Sequence, residues 1–372
     1  MSSRVIVSVI NDLVTDQRVN KVCQTVSSMN CDVMLVGRKL RDSPEMDKRE
    51  YQVHRMKLLF EKGPFFYAEF NIRLFFFLLV NRADMLISND LDTLLPNYLI
   101  SRLKTTPLVY DSHEYFTEVP ELVNRKRVQS VWKFIERKLF PKLADVLTVN
   151  DSIADFFYQD HGIRPNVVRN IPRRREKIPK VSRESLGLPV DKSLLILQGS
   201  GINVDRGSEE LIEAMPMIND AVLLIIGGGD VIDKLKSMAQ KLNLGKRIIF
   251  KPRMPYQQLM EYTAVADLGL TLDKSTNLNY KFSLPNKLFD YIQAGIPVLS
   301  SPLPEIEKII TKYKVGDFIM DHNPKTIAKK INQILNNQDL IQEWKKNCSF
   351  AAKELTWENE EKVLLKIYSK YV

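Results

Sequence analysis

The sequence predicts an α/β protein made of two doubly wound units with parallel sheets, and three observations predict it. Short β-rich runs alternate with helical patterns along the 372 residues, as in a parallel sheet linked by crossover helices. Several of those runs are apolar at every position, as strands covered on both faces are. The alternation breaks once, between residues 164 and 192, and then restarts.

In the first half the expected strands are 5–10, 33–36, 53–59, 85–88, 108–110 and 146–149, with helices over 16–29, 67–80, 91–104, 127–140 and 152–158 between them. Residues 1–170 then form a first Rossmann-like domain. Pro165, Pro172, Pro179 and Pro189, with many charges and little apolar periodicity, mark a connection over 171–192. A second Rossmann-like domain over 193–355 has strands 194–198, 222–226, 248–250, 268–272 and 298–300 and helices 206–215, 231–242, 256–264 and 286–294. The tail, 356–372, reads as a helix with Val363, Leu364 and Ile367 on one stripe. Two such sheets are expected to face each other across a cleft, with ligands at the carboxyl ends of the strands.

Composition narrows the function. With 44% hydrophobic and 27% charged residues the chain is globular in type. The longest purely apolar run, residues 74–80, is too short to cross a bilayer. The first ten residues read as a strand rather than a secretory leader. Cys23, Cys31 and Cys348 make neither a metal spacing nor an even disulfide set, which points to a reducing cytoplasm. A formal charge of +9 suits phosphorylated small molecules or an anionic membrane face, and for most of these charges a plainly solvated basic surface accounts for it. No nucleic-acid signature accompanies it, and the arginines are dispersed except at Arg173, Arg174 and Arg175.

Residues 282–298 carry the strongest chemical signal. They read as a loop, a short helix ended by Gly295, and a strand. Lys287 and Asp290, three apart, share a face near the helix start, where free amides and a partial positive charge favour an anion. A cation there with a carboxylate one turn deeper suits a nucleoside diphosphate with its ribose beyond. Gly199, Gly201 and Gly207 line a loop that follows a strand, with Arg206 at the expected helix start, and fit the same ligand. Gly227, Gly228 and Gly229 read as a tight turn without a catalytic role. The first strand lacks a glycine-rich loop, which weighs against a nicotinamide or flavin enzyme.

His113 lies just past a buried strand beside Asp111 and Glu114, placed to bond a sugar hydroxyl, to handle a proton, or to serve structure alone. Asp90 and Asp92 read as helix caps rather than metal ligands. Arg18 stands in the first turn of a helix, against its dipole, so either a ligand, an acidic partner or plain solvation accounts for it. Phe75, Phe76 and Phe77 read as core, and the loop expected at residues 63–66 as a membrane contact. His54, His161 and His322 are read as structural.

The stretch 282–298 resembles the donor-site signature of family 4 glycosyltransferases, retaining enzymes of the GT-B fold. The likeness extends along the chain through residues 11–19, 110–114, 168–172, the Arg206–Gly207 loop and residues 284–290, in family order. It is strongest to bacterial members that build surface polysaccharides such as lipopolysaccharide or capsule. It implies a carboxyl-terminal domain that binds a nucleotide-sugar donor and an amino-terminal one for a glycan or lipid-linked acceptor. The last helix would cross back onto the first domain. It also implies no cofactor, no required metal and no nucleic acid, and a cytoplasmic enzyme with peripheral contact to the inner face of the plasma membrane.

By position, Asp290 matches the family's ribose-binding acid, shortened from Glu. Arg206 matches the basic residue of the phosphate loop, and His113 the histidine near the donor sugar. Gly199, Gly201, Leu284, Asn286 and Lys287 fall in the donor site, with Arg253 and Met254 in the loop that touches the base. Asp12, Arg18 and Glu114 fall on the acceptor side. One position departs: Phe282 stands where a second Glu often contacts sugar hydroxyls, and a phenyl ring accepts no such bond. Either a neighbour such as Asp273 substitutes or the donor sugar is not plain glucose. Pro285 likewise replaces a glycine and removes an N–H. Two rivals remain open: a nucleotide-sugar 2-epimerase of the same fold, and a non-catalytic protein that binds at a membrane surface.

Overall fold

A computed structural model describes residues 2–14, 16–43, 45–174 and 181–372, without the side chains of Pro120 and Glu121. Arg175 and Pro179, and with them part of the expected connection, lie outside the described residues. The chain divides into two units, residues 1–170 with 360–372, and residues 171–359.

Unit 1 contains β1 (Arg4–Asp12), α1 (Gln17–Ser28), β2 (Asp32–Lys39), β3 (Gln52–Lys57), α2 (Gly63–Val80), β4 (Met85–Asn89), α3 (Leu91–Lys104), β5 (Leu108–Ser112), α4 (Pro120–Val123), α5 (Lys126–Leu139), β6 (Asp145–Thr148), α6 (Asp151–His161) and β7 (Asn166–Val167). The sheet order is β3-β2-β1-β4-β5-β6-β7, and the pairings are parallel. β4, β5 and β6 are buried throughout, which is why they read as unbroken apolar runs. The aromatic stretch departs from the sequence reading. The expected loop at 63–66 is the first turn of α2, opened by Pro64, whose missing N–H costs nothing there. Phe76 is exposed, and Phe75 and Phe77 are only half-buried.

Unit 2 contains β8 (Ser193–Gly199), α7 (Ser208–Ala214), β9 (Ala221–Gly227), α8 (Ile232–Lys241), β10 (Ile248–Lys251), α9 (Tyr256–Ala264), β11 (Leu268–Thr271), α10 (Leu278–Lys281), α11 (Asn286–Ala294), β12 (Val298–Ser300), α12 (Pro304–Tyr313), β13 (Gly316–Phe318), α13 (Pro324–Leu335) and α14 (Gln338–Glu354). Its parallel order is β10-β9-β8-β11-β12-β13. Two cores sandwich this sheet, one with Leu195, Leu223 and Leu270, the other with Leu194, Leu224 and Val298. The expected connection is partly core: Ile171 and Leu188 are buried in the second of these clusters, and Arg183 bonds the Val265 carbonyl and Asp267.

The final helix, α15 (Trp357–Tyr368), lies mainly in unit 1. Leu364, Ile367 and Tyr368 are buried, Glu360 pairs with Arg169, and Lys370 reaches Asp145 at 2.6 Å. In each sheet the strand order reverses beside the first strand, between β1 and β4 and between β8 and β11. The carboxyl ends flanking such a reversal form the crevice that ligands use in open α/β sheets.

Candidate functional site

In unit 2 the chain leaves β8 at Gly199 and runs through the glycine loop to α7. Arg206 is not on that helix. Gly207 sits between them at φ 70°, the left-handed region that favours glycine. A Cβ on Gly207 would stand 2.2 Å from the Leu272 carbonyl oxygen, so the loop lies against the exit of β11. The Lys274 amide donates to the Asp205 carbonyl at 2.9 Å and holds the same register. This contact brings Arg206 to Asp273, whose Oδ1 accepts from Nη1 at 2.8 Å. Lys287, in the first turn of α11, reaches the other oxygen, Oδ2, at 3.2 Å. The Thr271 hydroxyl donates to Oδ2 at 2.9 Å.

Two cations from different elements therefore converge on one fully buried carboxylate. Burial alone would raise the Asp273 pKa. Lys287 and Arg206, with hydrogen bonds from Arg206 and Thr271, outweigh it and hold the group below the usual carboxylate range. The guanidinium also lies over the Tyr280 ring at 4.0 Å, which fixes its plane. Lys287 keeps about a tenth of its surface open and Arg206 about a quarter, so both remain reachable. Pro285 offers no side-chain cap, leaving the first amides of α11 without a side-chain acceptor.

Asp290 points elsewhere than Lys287. Its Oδ1 accepts from the Tyr256 hydroxyl at 2.7 Å and its Oδ2 from Gln198 Nε2 at 3.1 Å, at the end of β8. Gly227 to Gly229 brace the glycine loop. The Ile202 amide donates to the Gly228 carbonyl, and a Cβ on Gly229 would meet the Ile202 oxygen at 2.0 Å. Arg253 is exposed and donates to the Ser200 carbonyl while crossing Gly228, so it supports the loop. Met254 and Leu284 pack half-buried against the neighbouring core, and Asn286 is exposed at the helix start. A Cβ added to Gly199 or Gly201 would meet nothing closer than 3.5 Å, which leaves their backbone approachable.

Unit 1 has its own charged cluster, at the carboxyl ends of β4 and β5. Asp90, placed where α3 begins, makes no side-chain cap, contrary to the sequence reading. Its Oδ1 accepts from the His113 amide at 2.8 Å, and its Oδ2 lies 3.3 Å from Nδ1 of that imidazole. Nε2 of His113 lies 3.1 Å from Asn89 Oδ1 and 3.6 Å from Asp111 Oδ2. Burial would lower the His113 pKa, but Asp90 and Asp111 outweigh it and raise the group to about 9. The ring is thus a cation at neutral pH and suits hydrogen-bond donation rather than proton acceptance. Asp92 also makes no cap; it is buried with Oδ1 unbonded, and burial, Asp90 and Glu114 push its pKa well up.

Arg18 is neither solvated nor open to an acceptor. It is 3% exposed and grips Asp111 with Nε–Oδ2 at 3.2 Å and Nη2–Oδ1 at 2.7 Å, while Nη1 donates to the Val168 carbonyl at 2.7 Å. Its charge is satisfied inside the fold, which explains a cation in the first turn of α1 without a ligand. Asp12, at the end of β1, accepts from Arg55 at 2.9 Å and from the Ser43 hydroxyl. Glu114 is half-buried next to His113. His54 stacks on Phe77, His161 on Phe140, and His322 bonds the Leu272 carbonyl and Ser301. Asp273 is not a spare acid in place of Phe282, since both its oxygens hold cations. Among the described residues no group of three His, Cys, Asp or Glu is placed to hold a metal.

Two family profiles match the chain in the order of these units. The family described as "Glycosyltransferase Family 4" matches residues 17–173, and "Glycosyl transferases group 1" matches residues 180–349. A relative, an uncharacterized glycosyltransferase of Methanocaldococcus jannaschii, is 24% identical over 193 residues, which are 50% of this chain and 47% of the relative. The chain spans less than half the length of the first curated relatives it matches. Solved structures align over nearly their full length. HepE of Anabaena, in complex with UDP-glucose, superposes with a TM-score of 0.75 at 13% identity, covering 99% of this chain and 100% of that one. WaaG, a glycosyltransferase involved in lipopolysaccharide biosynthesis, does so with 0.73 at 18%, covering 96% and 98%. Both share the two-sheet GT-B architecture. With one profile on each unit and the parallel sheets of that architecture beneath them, the chain belongs to family 4 of the glycosyltransferases.

Proposed function

We propose that the protein transfers a sugar from a nucleoside-diphosphate sugar to a hydroxyl of a glycan or lipid-linked acceptor, with retention of anomeric configuration and without a metal, in cell-surface polysaccharide synthesis at the cytoplasmic side of the membrane. The carrying observation is the convergence of Arg206 and Lys287 on Asp273 beside the open glycine loop. Negative charge grows on the diphosphate as the glycosidic bond breaks, and two fixed cations with the first amides of α11 answer that charge. Asp290, oriented by Tyr256 and Gln198, is assigned to the ribose. His113, charged and half-buried, is assigned to donate to a hydroxyl. No side chain in the cluster is assigned as a covalent nucleophile, so attack comes from the face the diphosphate leaves, and the departing phosphate takes the acceptor proton.

The donor reading is tested by thermal shift with UDP, GDP, ADP and their sugars, with and without magnesium. UDP leads the panel because HepE is a structural neighbour that binds UDP-glucose. A large shift with one nucleotide, indifferent to metal, is expected. Arg206→Ala and Lys287→Ala should each lower turnover by about 10²–10³-fold; full activity in both would refute the assignment. Product analysis without acceptor separates an epimerase, which converts donor alone. A protein that shifts with no nucleotide would be a non-catalytic binder.

A further inference from the structure

Asp92, in the first turn of α3, is 5% exposed, and its Oδ1 finds no hydrogen-bond partner among the described residues. A buried oxygen left unbonded costs stability and is uncommon in a native fold unless something outside the chain satisfies it. The backbone around it is firmly held. The Asn71 side chain on α2 donates to the Asp92 carbonyl at 2.9 Å, and the Thr93 hydroxyl donates to the Asn89 carbonyl at 2.7 Å. Asp90, two residues earlier, has φ 59° and ψ 165°, a region that glycine alone enters freely. Its amide donates to the Asp111 carbonyl at 2.9 Å and its carboxylate accepts from the His113 amide, which keeps the strained turn in place. The fold thus maintains a strained turn and an unsatisfied carboxyl side by side, at the carboxyl end of β4, where the strand order reverses.

The charges that act most on Asp92 are two acids, Asp90 and Glu114, and two cations, His113 and Arg38. They come from the same carboxyl edge of the sheet: His113 and Glu114 follow β5, and Arg38 stands near the end of β2. The Arg38 guanidinium lies over the Phe66 ring at 4.6 Å, and its Nε is buried and unbonded among the described residues. Burial first, then Asp90 and Glu114, push the Asp92 pKa well up and favour its neutral acid form. Two negative and two positive neighbours around a neutral centre leave no net charge. An ammonium brought here would stand beside His113 and Arg38, and an anion beside Asp90 and Glu114. An uncharged hydroxyl meets neither penalty, and a neutral carboxyl can both donate to it and accept from it.

We propose that Asp92 is a sugar-contacting residue of unit 1, whose unbonded Oδ1 takes a hydroxyl of an uncharged sugar ring in the acceptor, at the crevice where β1 and β4 meet. Asp90 is a positioning residue, since its strained turn sets Asp92 beside His113. The inference rests on the transferase reading and narrows its acceptor: the ring that enters unit 1 is neither an amino sugar nor a sugar acid. A single water on Oδ1 is the competing occupant, and the experiment separates the two.

The full chain is studied by saturation-transfer NMR with the methyl glycosides of glucose, galactose and mannose, with glucosamine and with glucuronate, while nucleotide binding is followed by thermal shift. The wild type should contact at least one methyl glycoside and neither charged sugar. Asp92→Leu should weaken that contact by about three- to tenfold, the worth of one hydrogen bond. It should melt no lower than the wild type, because it removes a buried unsatisfied group. Asp92→Asn, neutral and nearly the same shape, should keep the contact within about twofold. Loss in both variants would overturn the proposal, as would a contact indifferent to Asp92→Leu, preferred binding of a charged sugar, or no glycoside contact in the wild type. A wild type that shifts with no nucleotide would remove the transferase reading and this inference with it. A normal nucleotide shift beside any of the failures above would remove the inference alone.

Discussion

Replacing Asp273 with Asn tests how the two donor-site cations are held. The side chain keeps its shape and loses its charge, so Arg206 at 2.8 Å and Lys287 at 3.2 Å face each other without a counterion. Removing one partner of a fully buried pair costs about 3–5 kcal/mol. Both cations here keep some contact with water, which brings the expected cost to about 2–3 kcal/mol. For a unit of this size each kcal/mol moves the melting temperature by about 2–4 °C, so a fall of about 4–12 °C is expected. A bound diphosphate supplies the missing negative charge. If it binds the variant about tenfold tighter, it adds about 1.4 kcal/mol of stabilisation at the same ligand concentration. The assay is differential scanning fluorimetry of both proteins, with and without the nucleoside diphosphate preferred by the wild type. A larger ligand-induced shift in the variant is the signature. An unchanged melting temperature, or equal ligand shifts in the two proteins, would refute the idea that Asp273 occupies the place of the phosphate charge.

Three further outcomes follow from the geometry. His113 is raised from 6.5 to about 9, so its stabilisation is complete below about pH 6.5 and is lost as pH rises through 9; the wild type should lose stability over that window relative to His113→Gln, and a His113 proton resonance that titrates near 6.5 would contradict this. Gly207→Ala forces a side chain into the Leu272 carbonyl and should lower the melting temperature, whereas Gly201→Ala has room and should raise the donor KM without a stability change; chemical denaturation and steady-state kinetics on the pair separate the two roles. Arg18→Met leaves buried Asp111 with His113, 3.6 Å away, as its remaining counter-charge and should cost about 3 kcal/mol in urea unfolding, with no acceptor-specific effect on KM.

Much of the fold was legible because the strands are buried on both faces and so wrote themselves as apolar runs. The strands 85–88 and 108–110 needed no more than that. β7 and β13, two and three residues long, carry too little pattern to stand out. The helices α12, α13 and α14 went unread although each has an apolar stripe. At the site, Arg206 and Lys287 were legible because a glycine loop and a helix start announce an anion. Asp273 as their shared counterion was not, since only the adjacency of β8 and β11, strands more than sixty residues apart, joins them. Tyr256 and Gln198 escaped for the same reason. Asp90 was misread and Arg18 left open between a ligand, an acidic partner and solvent, because a helix start explains an acid or exposes a cation locally, while their partners, His113 and Asp111, come from β5 and its end.

Residues 360–372 belong to the first unit but are made after the whole of the second. On the ribosome, the sheet of the first unit can pair its strands early, yet Arg169 waits 191 residues for Glu360 and Asp145 waits 225 for Lys370. The early unit is therefore left with an uncovered seam while its successor folds. Loss of a dozen residues at that late stretch would be felt at the far side of the chain from where the cut was made.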